Sequence, residues 1–233
     1  MENRSTLRMG GTCAALVGVS YLVAGLAYLM LPRAQRGGTL LHDTGRFMLS
    51  MAQGSAFITF QHLAEGLGGL IGIGVVLAVV ELTRPLKSGW IQWLNVMAGI
   101  GFAVTAIDNL RITVVEPLRA AAYVAGDPAT QAAVVATKCF VSIDPVMWLS
   151  FGLVGIWVFF ISYQGLRRLR FPRVMGIVGM AAGVFYFFIE IGTLLRNELL
   201  LAVTAGLGAL VLGPVWYIWL GRILRDRATA NPA

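Results

Sequence analysis

Long, almost unbroken runs of apolar residues follow one another along the chain. Six of them reach roughly 20 residues, the length at which a helix crosses about 30 Å of hydrocarbon. They lack the alternation of apolar and polar positions that membrane β-strands show. The pattern predicts an all-α bundle that forms a single transmembrane domain over residues 1–233. Its six spans lie at approximately 10–31, 55–80, 90–112, 145–165, 174–195 and 199–220.

The composition agrees with this prediction. Hydrophobic residues make up 58% of the chain and charged residues 12%, and the mean hydropathy is +0.77. A soluble domain carries about twice that charged fraction, so the soluble and disordered classes of protein are excluded. The first apolar run is too long for the core of a signal peptide, and we expect it to be retained as a span.

The basic residues indicate how the spans are oriented. The formal net charge is +7, and in a membrane protein such a surplus orients the loops rather than binding nucleic acid. With the N-terminus inside, 11 of the 18 Lys and Arg residues lie in short cytoplasmic loops and tails, and the others lie in longer outer loops. We therefore expect both termini to be cytoplasmic. The aromatic residues expected at the inner interface are Trp90, Trp93, Trp216, Tyr217 and Trp219.

Two outer loops are long enough to hold further helices. In 32–54, Asp43 directly precedes a threonine and is typical of an N-cap, which predicts a short helix ahead of span two. In 113–144, Asp127 followed by proline predicts the start of an Ala-rich helix, which we expect to form a lid over the bundle. Asp144, also followed by proline, repeats this pattern at the start of span four.

Six ionisable residues lie inside the predicted spans or at the start of one. Each costs about 2.5–3.5 kcal/mol at the centre of a membrane helix, so such residues usually face a cavity or one another. The predicted topology puts all six in the outer half of the bilayer, on four helices, with no comparable group in the inner halves. This placement predicts a polar pocket that opens outward beneath the lid. The predicted ligand-binding residues are His62, Glu65, Asp108, Arg111, Asp144 and Glu190.

Residue spacing supports part of this pocket. His62 and Glu65 are three residues apart and share a helix face, and Glu65 is the deepest of the six. The glycine-rich segment 66–74 allows a neighbouring helix to approach span two closely. We therefore expect the level of Glu65 to form the floor of the pocket.

Spans three and five resemble each other. Gly101 and Asp108 are seven residues apart, as are Gly183 and Glu190, and an isoleucine precedes each acid. Both spans are predicted to run from inside to outside, and an arginine follows each acid within six residues. We interpret this similarity as a faint duplication of a two-helix unit.

Each polar residue also has a structural interpretation, and the sequence leaves these alternatives open. Glu65 lies too deep to reach water easily, so a functional role is the favoured interpretation for this residue. For the others, the alternatives are an ion pair of Asp108 with Arg111, an N-cap at Asp144, an ion pair of Glu190 with Arg196, and an interior hydrogen bond of His62.

The pocket could support several kinds of chemistry. Nitrogen and oxygen ligands for a metal exist, but the spans hold one histidine and no HExxH motif, so we expect no metal site. Carboxyl groups in apolar surroundings can act as general acids on a lipidic substrate, or as proton carriers in a transporter. The sequence leaves any cofactor undetermined. The candidate catalytic acids are Glu65, Asp108 and Glu190.

Three functions remain open on the residues alone. The first is a membrane protein whose pocket binds a small ligand, a lipid or an ion, in transport, sensing or a subunit role. The second is a membrane-embedded enzyme that uses buried carboxyls on a lipid or isoprenoid substrate. The third is a structural subunit of a larger membrane complex. Membrane lipid is an expected partner, and nucleic acid is not expected. A small molecule, an ion or another membrane protein remains possible as a further partner.

Three phrases of the sequence carry a family resemblance. They are GVSYLVAGLAYLM in the first span, RLRFPRVMGIVGMAAGVFYF at the fifth, and GPVWYIWLGRILR at the end of the sixth. Together they resemble a widespread bacterial family of six-helix membrane proteins known only as a domain of unknown function. The resemblance implies the bacterial cytoplasmic membrane and no known activity, and it transfers no catalytic residue. The last phrase matches a G-P-x-W-x-x-W-L-G pattern at Gly213, Pro214, Trp216, Trp219, Leu220 and Gly221.

Overall fold

The computed structural model of the protein describes residues 3–54, 56–137, 141–169 and 171–230. These ranges are helical with short connections and contain no strand. Short 3₁₀ turns aside, the helices are α1 (Arg4–Met30), α2 (Gly37–His42), α3 (Thr44–Gln53), α4 (Ala56–Thr83), α5 (Gly89–Ala125), α6 (Pro128–Ala136), α7 (Trp148–Arg167), α8 (Arg173–Leu194) and α9 (Glu198–Thr229).

Six of these helices, α1, α4, α5, α7, α8 and α9, are long and apolar enough to cross a membrane. They confirm the six predicted spans, and the chain is a multi-pass integral membrane protein. Each span packs against two others in the order α1, α4, α5, α7, α8 and α9, and α9 closes the ring on α1. The interior of this ring is where the buried polar groups described below are found.

The outward surface of the ring is apolar. Large apolar side chains on every span stand more than half exposed, and such a continuous apolar surface is what lipid tails contact. The backbone N–H and C=O groups of the spans are hydrogen-bonded almost entirely within their own helices, as a hydrocarbon environment requires. Examples of these exposed side chains are Leu26, Leu77, Val96 and Val174.

Aromatic side chains fill the middle of the ring. Phe102, Trp157, Trp216 and Tyr217 are fully buried and pack edge to face, with ring centroids 5.0–6.2 Å apart. The expectation that Trp216 and Tyr217 lie at the membrane interface is therefore wrong, because α9 turns both side chains into the core. Trp90, expected at the same interface, is 78% exposed.

Glycines let neighbouring spans touch backbone to backbone. On α4, a Cβ at Gly69 would lie 2.6 Å from the backbone nitrogen of Ala106 on α5. A Cβ at Gly74 would lie 2.7 Å from the sulfur of Cys13 on α1. The glycine-rich segment of span two thus brings α4 against both of its neighbours, as its sequence predicts.

Both termini lie at the same end of the bundle. The Arg4 guanidinium donates to the backbone oxygen of Ala230 at 3.2 Å, which joins the start of α1 to the end of α9. We call this end the termini end. The opposite end carries α2, α3 and α6, and we call it the loop end. Which end faces the cytoplasm stays a prediction.

Glu81 is a buried acid at the termini end, where the sequence pattern predicts none. It lies beyond the predicted limit of span two at residue 80, but α4 continues to Thr83. Its carboxylate is 2.6 Å from the Arg84 guanidinium and accepts a hydrogen bond from the backbone N–H of Asn3 at 2.8 Å. These two partners give Glu81 a structural role, joining α1 to α4.

The third span extends further than its hydrophobic run predicts. α5 continues without a break to Ala125, so residues 113–125 are helix rather than loop. Its 37 residues cover about 55 Å, well beyond the hydrocarbon thickness. The polar residues after 112 mark where the helix leaves the membrane, and the many Ala, Leu, Glu and Arg residues continue it. Packing against a second small core holds this extension in place, with Leu31, Phe47, Met48, Met51, Ile58 and Ala120 buried in it.

Two predicted helix starts at the loop end are confirmed. The Asp43 carboxylate accepts a hydrogen bond from the backbone N–H of Arg46 at 3.0 Å and caps α3. The Asp127 carboxylate accepts one from the backbone N–H of Thr130 at 2.8 Å and caps α6. α6 ends at Ala136, before the end of the predicted Ala-rich helix. Its action as a lid stays a prediction.

Candidate functional site

The contacts of the sequence-predicted site residues fall into two groups, on two sides of α5. The first, which we call the His62 cluster, comprises His62, Glu65, Asn109 and Glu116. The second, which we call the α7 cluster, comprises Asp108, Ser142, Asp144, Ser150 and Glu190. Asp108 and Asn109 are adjacent on α5 and therefore point to different neighbours. Arg111 lies on the exposed side of the same helix.

In the His62 cluster, the imidazole bridges α4 and α5. Its Nδ1 donates to the side-chain oxygen of Asn109 at 2.7 Å and lies 4.0 Å from the Glu65 carboxylate. Glu65 in turn accepts a hydrogen bond from the Gln61 side chain at 3.1 Å. The His62 and Glu65 side chains are 19% and 24% exposed, so both are largely enclosed. The interior hydrogen bond that was one alternative for His62 is therefore present, and it joins the first third of α4 to α5.

Sequence reasoning misses Glu116 and Arg119, which the predicted topology leaves in a loop. Because α5 continues through this region, Glu116 lies seven residues after Asn109 on the same helix face. Glu116 is 6% exposed, and one carboxylate oxygen is 3.2 Å from the Arg119 guanidinium. The other oxygen is buried without a partner among the described residues. A helix-forming composition after residue 112 is the signal that would have placed them.

In the α7 cluster, Asp108 ties α5 to the segment before α7. One carboxylate oxygen accepts from the Ser142 hydroxyl at 2.6 Å and the other from the backbone N–H of Ile143 at 2.9 Å. Within the part of the chain that the structure describes, Asp108 forms no ion pair within 4.0 Å. These contacts favour a structural role for Asp108 over the ion pair with Arg111.

Asp144 caps α7 although it lies four residues before the first residue of the helix. One of its oxygens accepts from the backbone N–H groups of Leu149 and Ser150 at 3.0 and 2.8 Å, and from the Ser150 hydroxyl at 2.9 Å. α7 therefore begins at Trp148 rather than at the proline after Asp144. The turn before it is tight, since Met147 takes a left-handed conformation with φ of 62°. Asp144 acts as a cap here, although not at the position that its sequence predicts.

Glu190 stands in contrast to these two acids. It lies on α8 and is 0% exposed, and a Cβ at Gly152 of α7 would overlap its carboxyl group. Neither carboxylate oxygen has a hydrogen-bond partner among the described residues. It forms no ion pair there within 4.0 Å, so the alternative of a pair with Arg196 is not supported.

Asp108 and Glu190 both lie on helix faces that are turned towards α7. A Cβ at Gly101 would lie 2.7 Å from the Leu149 oxygen, and one at Gly183 would lie 2.5 Å from the Gly155 oxygen. Both glycines therefore face α7, and an acid seven residues later lies on the same face of its helix. Asp108 thus reaches the segment before α7 from α5, and Glu190 reaches the first turn of α7 from α8.

The helices around Glu190 are locally widened. α7 begins with a π-helical turn over Trp148–Gly152, and α9 contains a π-helical stretch over Ala205–Leu212. The Tyr186 hydroxyl, one turn before Glu190 on α8, lies where a Cβ of Gly213 would be, just after the widened stretch of α9. Such π-helical turns are rare and occur frequently at functional sites.

Three tyrosines connect the two clusters across the centre of the bundle. The hydroxyls of Tyr186 and Tyr217 are buried without a partner among the described residues. Tyr21 packs edge to face on Tyr217 with centroids 6.0 Å apart, and its hydroxyl interacts electrostatically with Tyr186 and with Glu65. Glu65 and Glu190 therefore lie at the two sides of a group of interior phenol hydroxyls.

Further unpartnered polar atoms continue this row towards the termini end. The Ser162 hydroxyl and the Trp216 indole N–H both lie where a Cβ of Gly179 would be, and neither has a partner among the described residues. Beyond them, the Trp157 indole donates to the Asn95 side chain at 2.8 Å. Asn95 borders a cavity of about 140 Å³ at the termini end, lined by Val80, Thr83, Arg84, Ser88, Ile91, Gln92 and Asn95.

The interior of the bundle holds several buried polar groups without partners among the described residues. Among the described residues, no group of three or more His, Cys, Asp or Glu side chains is placed to hold a metal ion. What the interior offers instead is one carboxyl without a partner and several hydroxyl and indole groups without partners. Buried polar groups are nearly always hydrogen-bonded, so a row of exceptions is the most unusual feature of the molecule.

Comparison with known proteins gives a family and no activity. No curated protein and no solved structure shows a significant match to the chain. One family model matches residues 16–221, a range that includes four spans entirely and part of the first and last spans. On this match, and with six apolar helices in place, the chain belongs to the membrane-protein family described as Domain of unknown function (DUF4386).

Proposed function

We propose that this integral membrane protein conducts protons across the membrane, and that Glu190 takes up and releases the proton. The observation that carries the proposal is the Glu190 carboxyl itself, which is fully buried with both oxygens unpartnered among the described residues. An ionised carboxylate is very costly in an apolar interior. Glu190 therefore needs a bound proton or a bound cation, and buried acids of this kind mark proton pathways in membrane proteins.

The close packing of Glu190 favours the proton over a larger occupant. A Cβ at Gly152 would overlap the carboxyl, so on that side the group rests directly on the backbone of α7. A proton needs no additional room, whereas a hydrated cation needs several oxygen ligands at coordination distance. The other nearby acid, Asp144, already accepts hydrogen bonds from the backbone N–H groups of Leu149 and Ser150. Among the described residues, no group of three or more His, Cys, Asp or Glu side chains surrounds Glu190.

The hydroxyl groups of the interior supply a route. Tyrosine and serine hydroxyls both donate and accept hydrogen bonds, so they can pass a proton along with bridging water molecules. On α8, Tyr186 lies between Glu190 and Gly179, and Gly179 faces the Ser162–Trp216 pair. Tyr217 packs on Trp216, and Asn95 borders the cavity at the termini end. A proton that leaves Glu190 therefore has polar groups to follow towards the opposite end of the bundle.

The proposal is tested by proton flux into liposomes. The purified protein is reconstituted with a pH-sensitive dye inside, and an imposed potassium diffusion potential drives protons inward. We expect flux above that of protein-free liposomes, and in Glu190→Gln a fall to the protein-free rate, because the amide cannot release a proton. Tyr186→Phe, which removes only a hydroxyl, is expected to lower the flux part of the way.

The matched control is Glu198→Gln. Glu198 begins α9 at the same end of the bundle, but its side chain is 65% exposed and paired with His42 at 3.4 Å. This variant should conduct as the unmodified protein does. The proposal is overturned if the unmodified protein conducts no faster than protein-free liposomes, or if Glu190→Gln conducts normally.

A further inference from the structure

We infer that the termini end holds a site for the phosphate group of an anionic phospholipid, in a cavity between the start of α1 and the end of α9. The cavity has a volume of about 430 Å³. It lies at the end of the bundle opposite to Glu190, so the inference is independent of the proposed function. Its lining residues are Arg4, Ser5, Arg8, Ala228 and Thr229.

The shape of the cavity follows from how α1 and α9 cross. The helices touch at Gly11 and Gly221, where a Cβ at Gly221 would lie 2.6 Å from the Gly11 oxygen. Towards their ends they diverge, and the hydrogen bond from Arg4 to the Ala230 oxygen closes the far side. The cavity is therefore bounded by a backbone crossing on one side and by an arginine on the other. Ala228, which is 3% exposed, contributes apolar surface.

The charge in the cavity is positive and uncompensated among the described residues. Neither Arg4 nor Arg8 forms an ion pair within 4.0 Å in the part of the chain that the structure describes. The Arg8 guanidinium makes no hydrogen bond there either, while the nearby acid Asp226 is paired with Arg222. The Arg8 guanidinium and the Ser5 hydroxyl are donors without an acceptor among the described residues, and Arg4 has further N–H groups besides the one that donates to the Ala230 oxygen. The Thr229 hydroxyl already donates to the Asp226 backbone oxygen at 2.9 Å. The donors that remain match the oxygens of a phosphate group.

The surroundings identify the phosphate as that of a lipid. On α1, Arg8 stands at the head of an exposed helix face that continues through Thr12, Leu16 and Val19. On α9, Thr229 stands at the end of a matching face. Its apolar members are Val211, Val215 and Ile218, which are 38–47% exposed.

A ligand with a phosphate in the cavity would therefore have its apolar part against two lipid-facing stripes. A free phosphate ion would use only the polar half of this arrangement. Basic pockets between membrane helices are known to bind anionic lipid headgroups. The cavity and the stripes together match a phospholipid with its headgroup among the arginines and its acyl chains along α1 and α9.

The test is native mass spectrometry of the delipidated full chain in detergent, titrated with phosphatidylglycerol or with phosphatidylcholine. We expect phosphatidylglycerol to bind more tightly than phosphatidylcholine. We expect each of the two arginines to contribute as much as one basic residue near an anionic lipid does. Arg4→Gln with Arg8→Gln should then weaken phosphatidylglycerol binding about 30-fold. Arg8→Gln alone, which breaks no contact within the described residues, should weaken it about fivefold.

The matched control is Arg168→Gln with Arg173→Gln. It removes the same charge from exposed positions at the termini end, where Arg168 directly follows α7 and Arg173 begins α8. Binding should stay within about twofold because the charges there are screened. The inference is overturned if phosphatidylcholine binds equally well, if the control loses as much affinity as the cavity variants, or if Arg8→Gln has no effect. Displacement of the bound lipid by excess inorganic phosphate would also overturn it, by identifying a site for the free ion.

Discussion

Asp144 and Glu190 are two buried acids at the loop end of the bundle, and both contact the first turns of α7. They are 6% and 0% exposed. One oxygen of Asp144 accepts three hydrogen bonds, whereas neither oxygen of Glu190 accepts one from any described residue. Burial alone therefore does not distinguish an acid that stabilises the fold from an acid that is available to bind a proton. The difference lies in whether the fold supplies donors, and it predicts opposite effects when each acid is removed.

The largest effect is expected from Asp144→Ala. This change leaves the backbone N–H groups of Leu149 and Ser150 without their acceptor, and unfulfilled donors of this kind cost about 1–3 kcal/mol each. We expect the free energy of unfolding to fall by about 3 kcal/mol. The measurement is unfolding by denaturing detergent, followed by circular dichroism. Asp144→Asn keeps one acceptor and should lose less, and a loss below about 1 kcal/mol for the alanine variant would contradict the structural assignment.

Glu190→Met is expected to change stability in the opposite direction. Methionine matches glutamate in size and removes a buried polar group that has no described partner, so the free energy of unfolding should rise by about 1–2 kcal/mol. The same variant should abolish proton flux, because methionine carries no exchangeable proton. A gain in stability together with a loss of flux is expected of a functional residue, since such residues are often kept at a cost in stability. A loss of stability would show instead that the Glu190 carboxyl has a stabilising partner and would remove the contrast with Asp144.

The hydrophobic pattern predicts the spans well because the membrane sets one dominant requirement. Every span must bury about 20 residues in hydrocarbon, and this leaves a signal in each stretch of sequence by itself. The helix starts at Asp43 and Asp127 are equally local, since cap and capped residue are three positions apart. The extension of α5 beyond residue 112 leaves no such signal, because hydropathy indicates where the membrane ends and not where the helix ends.

The site could be predicted only in part, because it depends on contacts between distant residues. The apolar context of Glu65, Asp108 and Glu190 in the sequence identifies them as unusual, and all three are enclosed to some degree. Their roles separate only through partners: Ser142 lies 34 positions from Asp108. Likewise, nothing local distinguishes Tyr186 and Tyr217 from the other four tyrosines of the chain. The packing of α8 and α9 with their neighbours leaves both hydroxyls buried and without a partner among the described residues.

Asp127 extends the comparison to an acid that is exposed, and the smallest effect is expected there. It caps α6 through one hydrogen bond from the backbone N–H of Thr130, and this bond lowers the pKa of the Asp127 carboxyl. The cap therefore contributes stability above the ordinary carboxyl pKa, and the contribution is lost as the pH falls through the lowered value. Asp127→Ala should speed amide hydrogen exchange in α6 and leave global unfolding unchanged.

The pH dependence separates the cap from the packing of α6. In the unmodified protein, protection of the α6 amides should fall at acidic pH, whereas Asp127→Asn should keep its protection at every pH, because asparagine caps well and does not titrate. Equal exchange in the alanine variant and the unmodified protein would mean that other contacts hold α6. The contact already visible is the Arg119 side chain, which donates to the Val134 backbone oxygen. In that case α6 would be fixed to α5 rather than hinged at its cap, and a lid that opens at Asp127 would be ruled out.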